Sequence, residues 1–322
     1  MTYVPVPFDP EVEQVLADMM ADRQAPPLSA ETIALSRGSM NAMWPSVAEV
    51  VGDLPVHFED RRIPGPPGAP ELEITILRPK ESKAGAPAIY NMHGGGLIMG
   101  TRHMDTARLV PMVVEFGFVA VNVDYRLAPE TPGSGPADDC YAGLLWMVGH
   151  SDELGFDPDR LLVMGGSAGG NLAAAMSLLA RDRGSPTIRG QVLLVPMLDD
   201  RNTTVSSYQF DDIGTWNRHS NLVAWRAVLG DEVGGEAVSS YVAPARAKDL
   251  SNLPPAYIEL GSAELFRDES IEYAQRIWAA GGQAELHIWS GGCHGFDIFC
   301  PDARLTKAAL QARRSWVERI IR

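Results

Sequence analysis

The chain has 322 residues, 45% of them hydrophobic and 21% charged, and this length suits one large domain with an accessory segment. Its formal net charge of −14 would repel a nucleic-acid backbone or an anionic membrane surface, so nucleic acid is excluded as a partner. No stretch approaches the roughly eighteen consecutive apolar residues of a membrane span, and the N-terminus lacks a secretion signal, so we expect a cytoplasmic protein without a membrane span.

The chain divides into a purely helical start and a longer region of alternating patterns. The first fifty residues carry helical patterns and no strand pattern. From residue 56 onward, short apolar runs alternate with longer helical patterns, which indicates an α/β fold with a mainly parallel sheet. The runs are continuously apolar, as expected of strands that helices cover on both faces. The predicted strands are 72–77, 88–92, 119–123, 161–164, 192–195, 256–260 and 285–289.

The segment 199–231 breaks this alternation. It follows a predicted strand and carries Trp216, Trp225 and a helical pattern at 218–229. Such an insertion would fold over the carboxyl edge of the sheet, where α/β folds bind their ligands. We therefore predict a helical cap made of residues 1–50 and 199–231, and a catalytic domain made of residues 51–198 and 232–322.

The hexapeptide GGSAGG at 165–170 carries the strongest functional signal. It follows the predicted strand at 161–164 and precedes a helical pattern at 171–181, which is the context of a nucleophilic serine elbow. Side chains at Gly165 and Gly169 would collide with the crowded packing of strand on helix, so glycine is expected at both positions. The pattern indicates a hydrolase with Ser167 as its nucleophile.

A serine nucleophile needs a histidine base and a carboxylate that orients it, and in this architecture the acid and then the histidine follow the serine along the chain. His294 lies in a glycine-flanked turn directly after the last predicted strand. Glu264 stands at the carboxyl end of the predicted strand 256–260 and is the preferred acid. Asp268 and Glu269 are its rivals, although the dipole of a helix predicted at 268–280 also explains acidic residues in its first turn.

The tetrapeptide HGGG at 93–96 predicts an oxyanion hole. It follows the predicted strand 88–92, and consecutive glycines allow peptide N–H groups to point into a small cavity. The expected donors are the amides of Gly95, Gly96 and Ala168. A phosphate-binding loop fits less well, because neither glycine-rich turn has the lysine or the glycine spacing of such loops.

Five motifs in this order resemble the hormone-sensitive-lipase-like branch of the α/β hydrolases, the bacterial carboxylesterases. They are HGGG at 93–96, VDYRLAPE at 123–130, GGSAGGN at 165–171, RDE at 267–269 and HGF at 294–296. The resemblance spans roughly residues 55 to 320. It implies an α/β-hydrolase fold with a mostly parallel eight-stranded sheet, a two-part helical cap, hydrolysis of short-to-medium acyl esters through an acyl-enzyme without a cofactor, and frequent homodimers.

The chain departs from this family at three places. The family commonly has aspartate before its serine, where this chain has Gly166. Its acid motif usually begins with Asp-Pro, whereas Glu264 and Leu265 stand here, so the carboxylate must be carried from about 1.5 Å further back. Residues 131–136 replace the usual His-Pro-Phe-Pro.

Several residues have an expected role outside the proposed catalytic groups. Tyr125, Arg126 and Glu130 are expected to support the oxyanion turn through hydrogen bonds. Candidates for the acyl pocket are Leu97, Met43 and Trp216, with Ile98, Met40, Trp44 and Trp225 as further apolar residues, although core packing explains all of these equally well.

Residues 199–201, Asp-Asp-Arg, are interpreted as a local ion network, because a catalytic metal would need clustered histidines. We expect neither a metal nor another cofactor. Cys140, Cys293 and Cys300 are expected to be free thiols, because three irregularly spaced cysteines suit neither a disulfide framework nor a zinc cluster.

The partner expected from these motifs is a small-molecule ester. A non-catalytic receptor on the same fold remains an alternative, as in the plant gibberellin receptors, which resemble this family but lack the catalytic histidine. The retained His294 favours catalysis. An amidase, a lactonase or a lipase would use the same triad and also remains open.

Overall fold

A computed structural model describes residues 3–21, 27–81 and 84–322. Residues 1, 2 and 22–26 of the predicted cap lie outside the described part. The strands of the described residues are β1 (Val56–Ile63), β2 (Leu72–Pro79), β3 (Ala86–Met92), β4 (Val119–Asp124), β5 (Phe156–Gly166), β6 (Gly190–Leu194), β7 (Ala256–Gly261) and β8 (Ala284–Trp289).

Within the described residues these eight strands form one sheet, in the order β1-β2-β4-β3-β5-β6-β7-β8. Strand β2 pairs antiparallel with both of its neighbours, and every pair from β4 to β8 is parallel. The predicted mostly parallel eight-stranded sheet is therefore confirmed. Strand β1 was not among the predicted strands, because only its end residues Val56 and Ile63 are buried and its middle is mainly polar and charged.

The helices of the described residues are α1 (Pro10–Ala21), α2 (Ile33–Ala42), α3 (Val47–Val51), α4 (Thr106–Phe116), α5 (Gly135–Gly149), α6 (Ser151–Leu154), α7 (Ala168–Arg183), α8 (Val205–Gln209), α9 (Arg218–Leu229), α10 (Arg267–Ala279), α11 (Phe296–Phe299) and α12 (Arg304–Ile320). Helices α5, α7 and α10 pack in one core cluster, while α3, α4 and α12 pack in a second. Successive residues of β3 and β5 belong to different clusters, because side chains alternate across a sheet. Covered faces on both sides explain the continuously apolar runs.

The predicted cap segments make different contacts. Helix α1 packs beside α11 through Val12 and Leu16, in a cluster that also contains Phe296. Helix α3 packs in the core cluster of α4. In the second segment, the ring nitrogen Nε2 of His219 on α9 lies 3.2 Å from the carbonyl oxygen of Leu28. The domain boundaries stay a prediction.

No helix in the described part of the chain is both long enough and apolar enough to cross a membrane.

Candidate active site

Ser167 occupies a sharp turn between β5 and α7. Its φ of 58° and ψ of −117° are unusual for a residue with a side chain. Ser167 is also the N-cap residue of α7. A Cβ at Gly165 would lie 2.2 Å from the backbone of Gly169, and a Cβ at Gly169 would lie 1.9 Å from the carbonyl oxygen of Met92. Glycine is therefore needed at both positions, as the sequence predicted, and the turn presents the serine hydroxyl at the sheet edge.

Ser167, His294 and Glu264 form one hydrogen-bonded chain. Nε2 of His294 lies 3.0 Å from Oγ of Ser167, and Nδ1 lies 3.2 Å from Oε2 of Glu264. The carboxylate is 1% exposed and also accepts a hydrogen bond of 3.1 Å from the amide of Phe266. The Phe266 ring meets the imidazole edge-on, with 5.2 Å between ring centroids. The imidazole is thus held from two sides, with one nitrogen directed at the serine.

The other two acids of this region bind backbone amides elsewhere. Asp268 accepts a hydrogen bond of 2.7 Å from the amide of Ser206, near the start of α8. Glu269 accepts hydrogen bonds from the amides of Leu198 (2.7 Å) and Asp199 (3.2 Å). Burial raises the pKa of Glu269 well above its ordinary value, and the nearby Asp199 carboxylate adds to this. The structure brings Glu264, and neither of these acids, against His294.

The loop after β3 adopts a conformation that glycine makes accessible. Gly95, Gly96 and Leu97 all have positive φ, at 110°, 63° and 62°. The amides of Ile98 and Met99 both donate to the carbonyl of Gly95, at 3.1 and 3.0 Å. Within the described residues, the amides of Gly95, Gly96 and Ala168 have no acceptor. These three free donors lie on the two turns that flank the serine hydroxyl, as an oxyanion hole requires.

Residues of the VDYRLAPE motif brace this loop. The Tyr125 hydroxyl donates to the carbonyl of His93 at 2.8 Å, and the two rings stack with centroids 4.2 Å apart. Burial lowers the pKa of His93, which favours its neutral form. Arg126 pairs with the buried Asp139. Tyr125 therefore supports the HGGG turn directly, as expected, whereas Arg126 anchors its own loop to α5.

Two adjacent residues of the 199–231 segment touch both sides of the site. The hydroxyl of Thr215 donates to the carbonyl of His294 at 2.5 Å. The Trp216 indole packs directly against Gly96 of the HGGG loop. It lies so close that a Cβ at Gly96 would be 2.7 Å from its Cη2. Trp216 was a predicted pocket residue, whereas Thr215 was not predicted, since a lone threonine in a loop carries no sequence pattern.

The remaining pocket candidates lie in different environments. Leu97 and Ile98 directly follow Gly95 and Gly96 in the loop after β3, which we call the oxyanion loop, and they are buried, at 2% and 0% exposure. Trp225 is fully buried within the core, which core packing explains without a ligand. Met43, at the end of α2, is 58% exposed. Trp216 is the candidate with the clearest contact to the oxyanion loop, and a substrate role for any of them stays a prediction.

A buried ion network that the sequence did not reveal lies beside Gly166. Arg108 donates to Asp105 at 2.7 Å and to both carboxylate oxygens of Asp297 at 2.7 and 3.0 Å. Arg313 also donates to Asp297, at 2.9 Å. Burial alone would raise the pKa of Asp297, but the two guanidinium groups outweigh it and hold that pKa well below its ordinary value. The network ties α4 to the helix that follows His294.

The acids at 199–200 are engaged in ion pairs, as the sequence predicted. Asp199 binds Arg201 through two carboxylate oxygens, and Asp200 binds Arg246. Among the described residues, no three or more histidine, cysteine or acidic side chains are grouped as metal ligands. The three cysteines are free and buried.

Comparisons with known proteins identify similar sequences and structures. A family described as "alpha/beta hydrolase fold" matches residues 89–298. The carboxylesterase NlhH of Mycobacterium tuberculosis is 31% identical over 307 residues, which cover 94% of this chain and 93% of that protein. Esterase LipI of the same organism is 32% identical over 75% of this chain and 77% of its own length. A solved structure titled bacterial heroin esterase superposes with a TM-score of 0.89 at 36% identity, covering 98% of each chain.

Proposed function

Because the chain belongs to the hormone-sensitive-lipase-like branch of the α/β hydrolases and is a carboxylic ester hydrolase, we propose that it cleaves short-to-medium acyl esters through an acyl-enzyme on Ser167. The observation that carries this proposal is the hydrogen-bonded chain from Ser167 through His294 to Glu264, with distances of 3.0 and 3.2 Å. The nucleophile contacts the base, and the base contacts the orienting acid, as the mechanism requires.

In the acylation step, the Ser167 hydroxyl attacks the ester carbonyl while Nε2 of His294 takes its proton. The imidazolium then donates this proton to the leaving alcohol. Glu264 accepts a hydrogen bond from Nδ1–H of His294, which selects the productive tautomer and stabilises the positive charge on the ring. In the second half, His294 deprotonates a water molecule that attacks the acyl-enzyme, and the serine hydroxyl is regenerated with release of the carboxylic acid. No step requires a cofactor.

The amides of Gly95, Gly96 and Ala168 are proposed to stabilise the negative oxygen of each tetrahedral intermediate. In a hydrolase site, the loss of one such donor costs about 2.7–4 kcal/mol, so these groups supply a major part of the catalysis. The amide of Ala168 gains further strength from its place at the start of α7, where the helix dipole is positive.

The substrate we propose is a small-molecule ester whose acyl group lies beside Trp216. The relatives are named as esterases and carboxylesterases, and their names give no support to the receptor alternative. A homodimer and a cytoplasmic location remain part of the proposal. Size-exclusion chromatography with light scattering tests the first of these, and cell fractionation tests the second.

The experiment that tests the mechanism replaces two serines of the same turn and helix. Ser167→Ala is expected to abolish hydrolysis of p-nitrophenyl acetate and butyrate and to abolish covalent labelling by a fluorophosphonate. The control is Ser177→Ala, because Ser177 is a buried residue of α7 whose hydroxyl donates to the carbonyl of Ala173, one turn earlier in the same helix. The control protein should retain both properties. Labelling of Ser167→Ala, or a wild-type protein that takes up no label, would refute the mechanism.

A further inference from the structure

The oxyanion loop is held from outside by an arginine of α2. Arg37 donates from Nε to the carbonyl of Ile98 and from Nη2 to the carbonyl of Ala128, both at 2.6 Å. The same guanidinium forms two hydrogen bonds with the carboxylate of Glu130, at 2.8 and 2.7 Å. We infer that Arg37 is a positioning residue that keeps the proposed oxyanion hole in its working geometry. This inference rests on the proposed function.

The loop needs such support because its backbone conformation is unusual. Gly95, Gly96 and Leu97 follow one another with positive φ, and Leu97 has a side chain that disfavours this region. Strained backbone of this kind persists only where its surroundings determine it. The carbonyl of Leu97 accepts a hydrogen bond of 2.9 Å from the amide of Ala128, and the next carbonyl, that of Ile98, accepts the one from Arg37. These two hydrogen bonds fix the backbone directly after the oxyanion glycines, at Leu97 and Ile98.

The guanidinium suits this task better than an ammonium group would. It presents several N–H donors in one rigid plane, so Arg37 can reach two carbonyls of different loops and a carboxylate at the same time. A lysine could reach one of these acceptors but would not link them.

Glu130 orients the guanidinium from the solvent side. Its hydrogen bonds with Arg37 lower the pKa of Glu130 to about 2, so the carboxylate stays charged across the working pH range. The side chain of Glu130 is 63% exposed, and exposed ion pairs add little to stability. The pair therefore serves mainly to direct Arg37 at the two carbonyls.

A consequence is that the N-terminal helical segment contributes to the proposed chemistry. Arg37 lies 61 positions before Ile98 and 91 before Ala128, and it belongs to none of the sequence motifs. Movement of α2 would release the loop that carries the two glycine amides.

The test compares Arg37→Ala and Arg37→Lys with Arg304→Ala. The control residue, Arg304, pairs with Glu11 at a site where its own side chain is 90% exposed. Active sites are counted by fluorophosphonate labelling, so that misfolded protein does not enter the rates. The readouts are kcat and KM on p-nitrophenyl acetate, and the Ki of a trifluoromethyl ketone whose hemiketal oxygen would occupy the oxyanion hole.

Both Arg37 variants are expected to lose at least about tenfold in kcat, with KM changed by less than about threefold. This is a fraction of the loss that follows complete removal of a donor. The Ki of the ketone should rise by the same factor by which kcat/KM falls. A purely structural role would not produce this correlation. Arg304→Ala should match the wild type. Because Arg37→Lys keeps the charge and most of the side chain, it remains informative if the alanine variant does not fold.

The outcomes separate the two proposals. Unchanged kcat and ketone affinity per labelled site in Arg37→Lys, with a labelled wild type, would overturn the role of Arg37 and leave the serine mechanism intact. A wild-type protein without labelling would instead overturn the proposed function. Glu130→Gln adds a further condition: because the contacts of Arg37 with Ile98 and Ala128 remain available, its loss of kcat should be smaller than that of Arg37→Ala. An equal loss would contradict the inference.

Discussion

The guanidinium of Arg108 occupies the space beside Gly166, so that a Cβ at residue 166 would lie 2.6 Å from its Nη1. Asp105 and Asp297 hold this guanidinium by hydrogen bonds of 2.7–3.0 Å. Arg108 therefore cannot retreat without loss of buried ion pairs. A side chain at residue 166 would therefore press on this ion network, which favours glycine there.

Gly166→Ala is expected to lower the free energy of unfolding by about 1–3 kcal/mol, the usual cost of an overpacked interior. Urea denaturation measures the change. The control is Gly149→Ala on α5, since a Cβ at residue 149 would meet no atom of the described residues within 4 Å. That variant should be neutral or slightly more stable, because alanine favours helix over glycine. Equal stability of the two variants would show that the Arg108 side chain moves aside at little energetic cost, which would contradict the prediction.

Glu264→Gln is expected to reduce kcat by about 10³–10⁴-fold, because an amide at this position no longer fixes the productive tautomer of His294. Asp268→Asn should lose less than about tenfold, because Asp268 bonds to the amide of Ser206 and lies outside the hydrogen-bonded chain. Steady-state kinetics on p-nitrophenyl butyrate measure both. A larger loss in the Asp268 variant would exchange the roles of the two acids.

Trp216→Ala is expected to widen the range of acyl groups, because its indole fills space against Gly96. The ratio of kcat/KM for p-nitrophenyl octanoate over acetate should rise by about tenfold or more, as each methylene accommodated in an apolar pocket contributes about 1–3 kcal/mol. Trp278→Ala provides the control, since Trp278 lies on α10 and is 46% exposed. The hypothesis fails if the ratio stays constant in the Trp216 variant.

Glu269→Gln is expected to stabilise the protein at neutral pH, because it removes a buried carboxylate that must be charged there once the protein unfolds. Burial raises the pKa of Glu269 in the folded state, so the unfolded chain ionises first as pH rises. Wild-type stability is therefore lost progressively from about pH 4, the ordinary glutamate value, up to the raised pKa. The glutamine keeps an oxygen acceptor for the amides of Leu198 and Asp199 but carries no charge.

Urea denaturation between pH 4 and 9 measures this difference. The gain from Glu269→Gln should grow as pH rises and disappear near pH 4. Glu272→Gln, at an exposed position of the same helix, should change stability little at any pH. A destabilised Glu269 variant at pH 8 would show that the charged form is the favoured one.

The strands were predictable where burial on both faces produces a continuously apolar run, as in β3 and β7. Strand β1 was missed because it is an edge strand with a mainly polar middle. Its two buried ends and its pairing with β2 hold it in the sheet, and neither produces an apolar run in the sequence. The start of α9 was predicted at Arg218, where Asn217 caps it by accepting from the amide of Ser220.

The elbow around Ser167, the glycine turn at 93–96 and the position of His294 after the last strand could be predicted from the order of the residues alone. These are local properties, since glycine's conformational freedom and the hydrophobicity of a run can be read over a few residues. The choice of the acid that contacts His294, and of the side chains around the site, depends on the folded arrangement of distant segments. Arg108 and Asp297, for example, are 189 positions apart, and Arg37 and Ile98 are 61 apart. No local pattern encodes such pairs, because their contact exists only once the sheet has ordered the loops at its carboxyl edge.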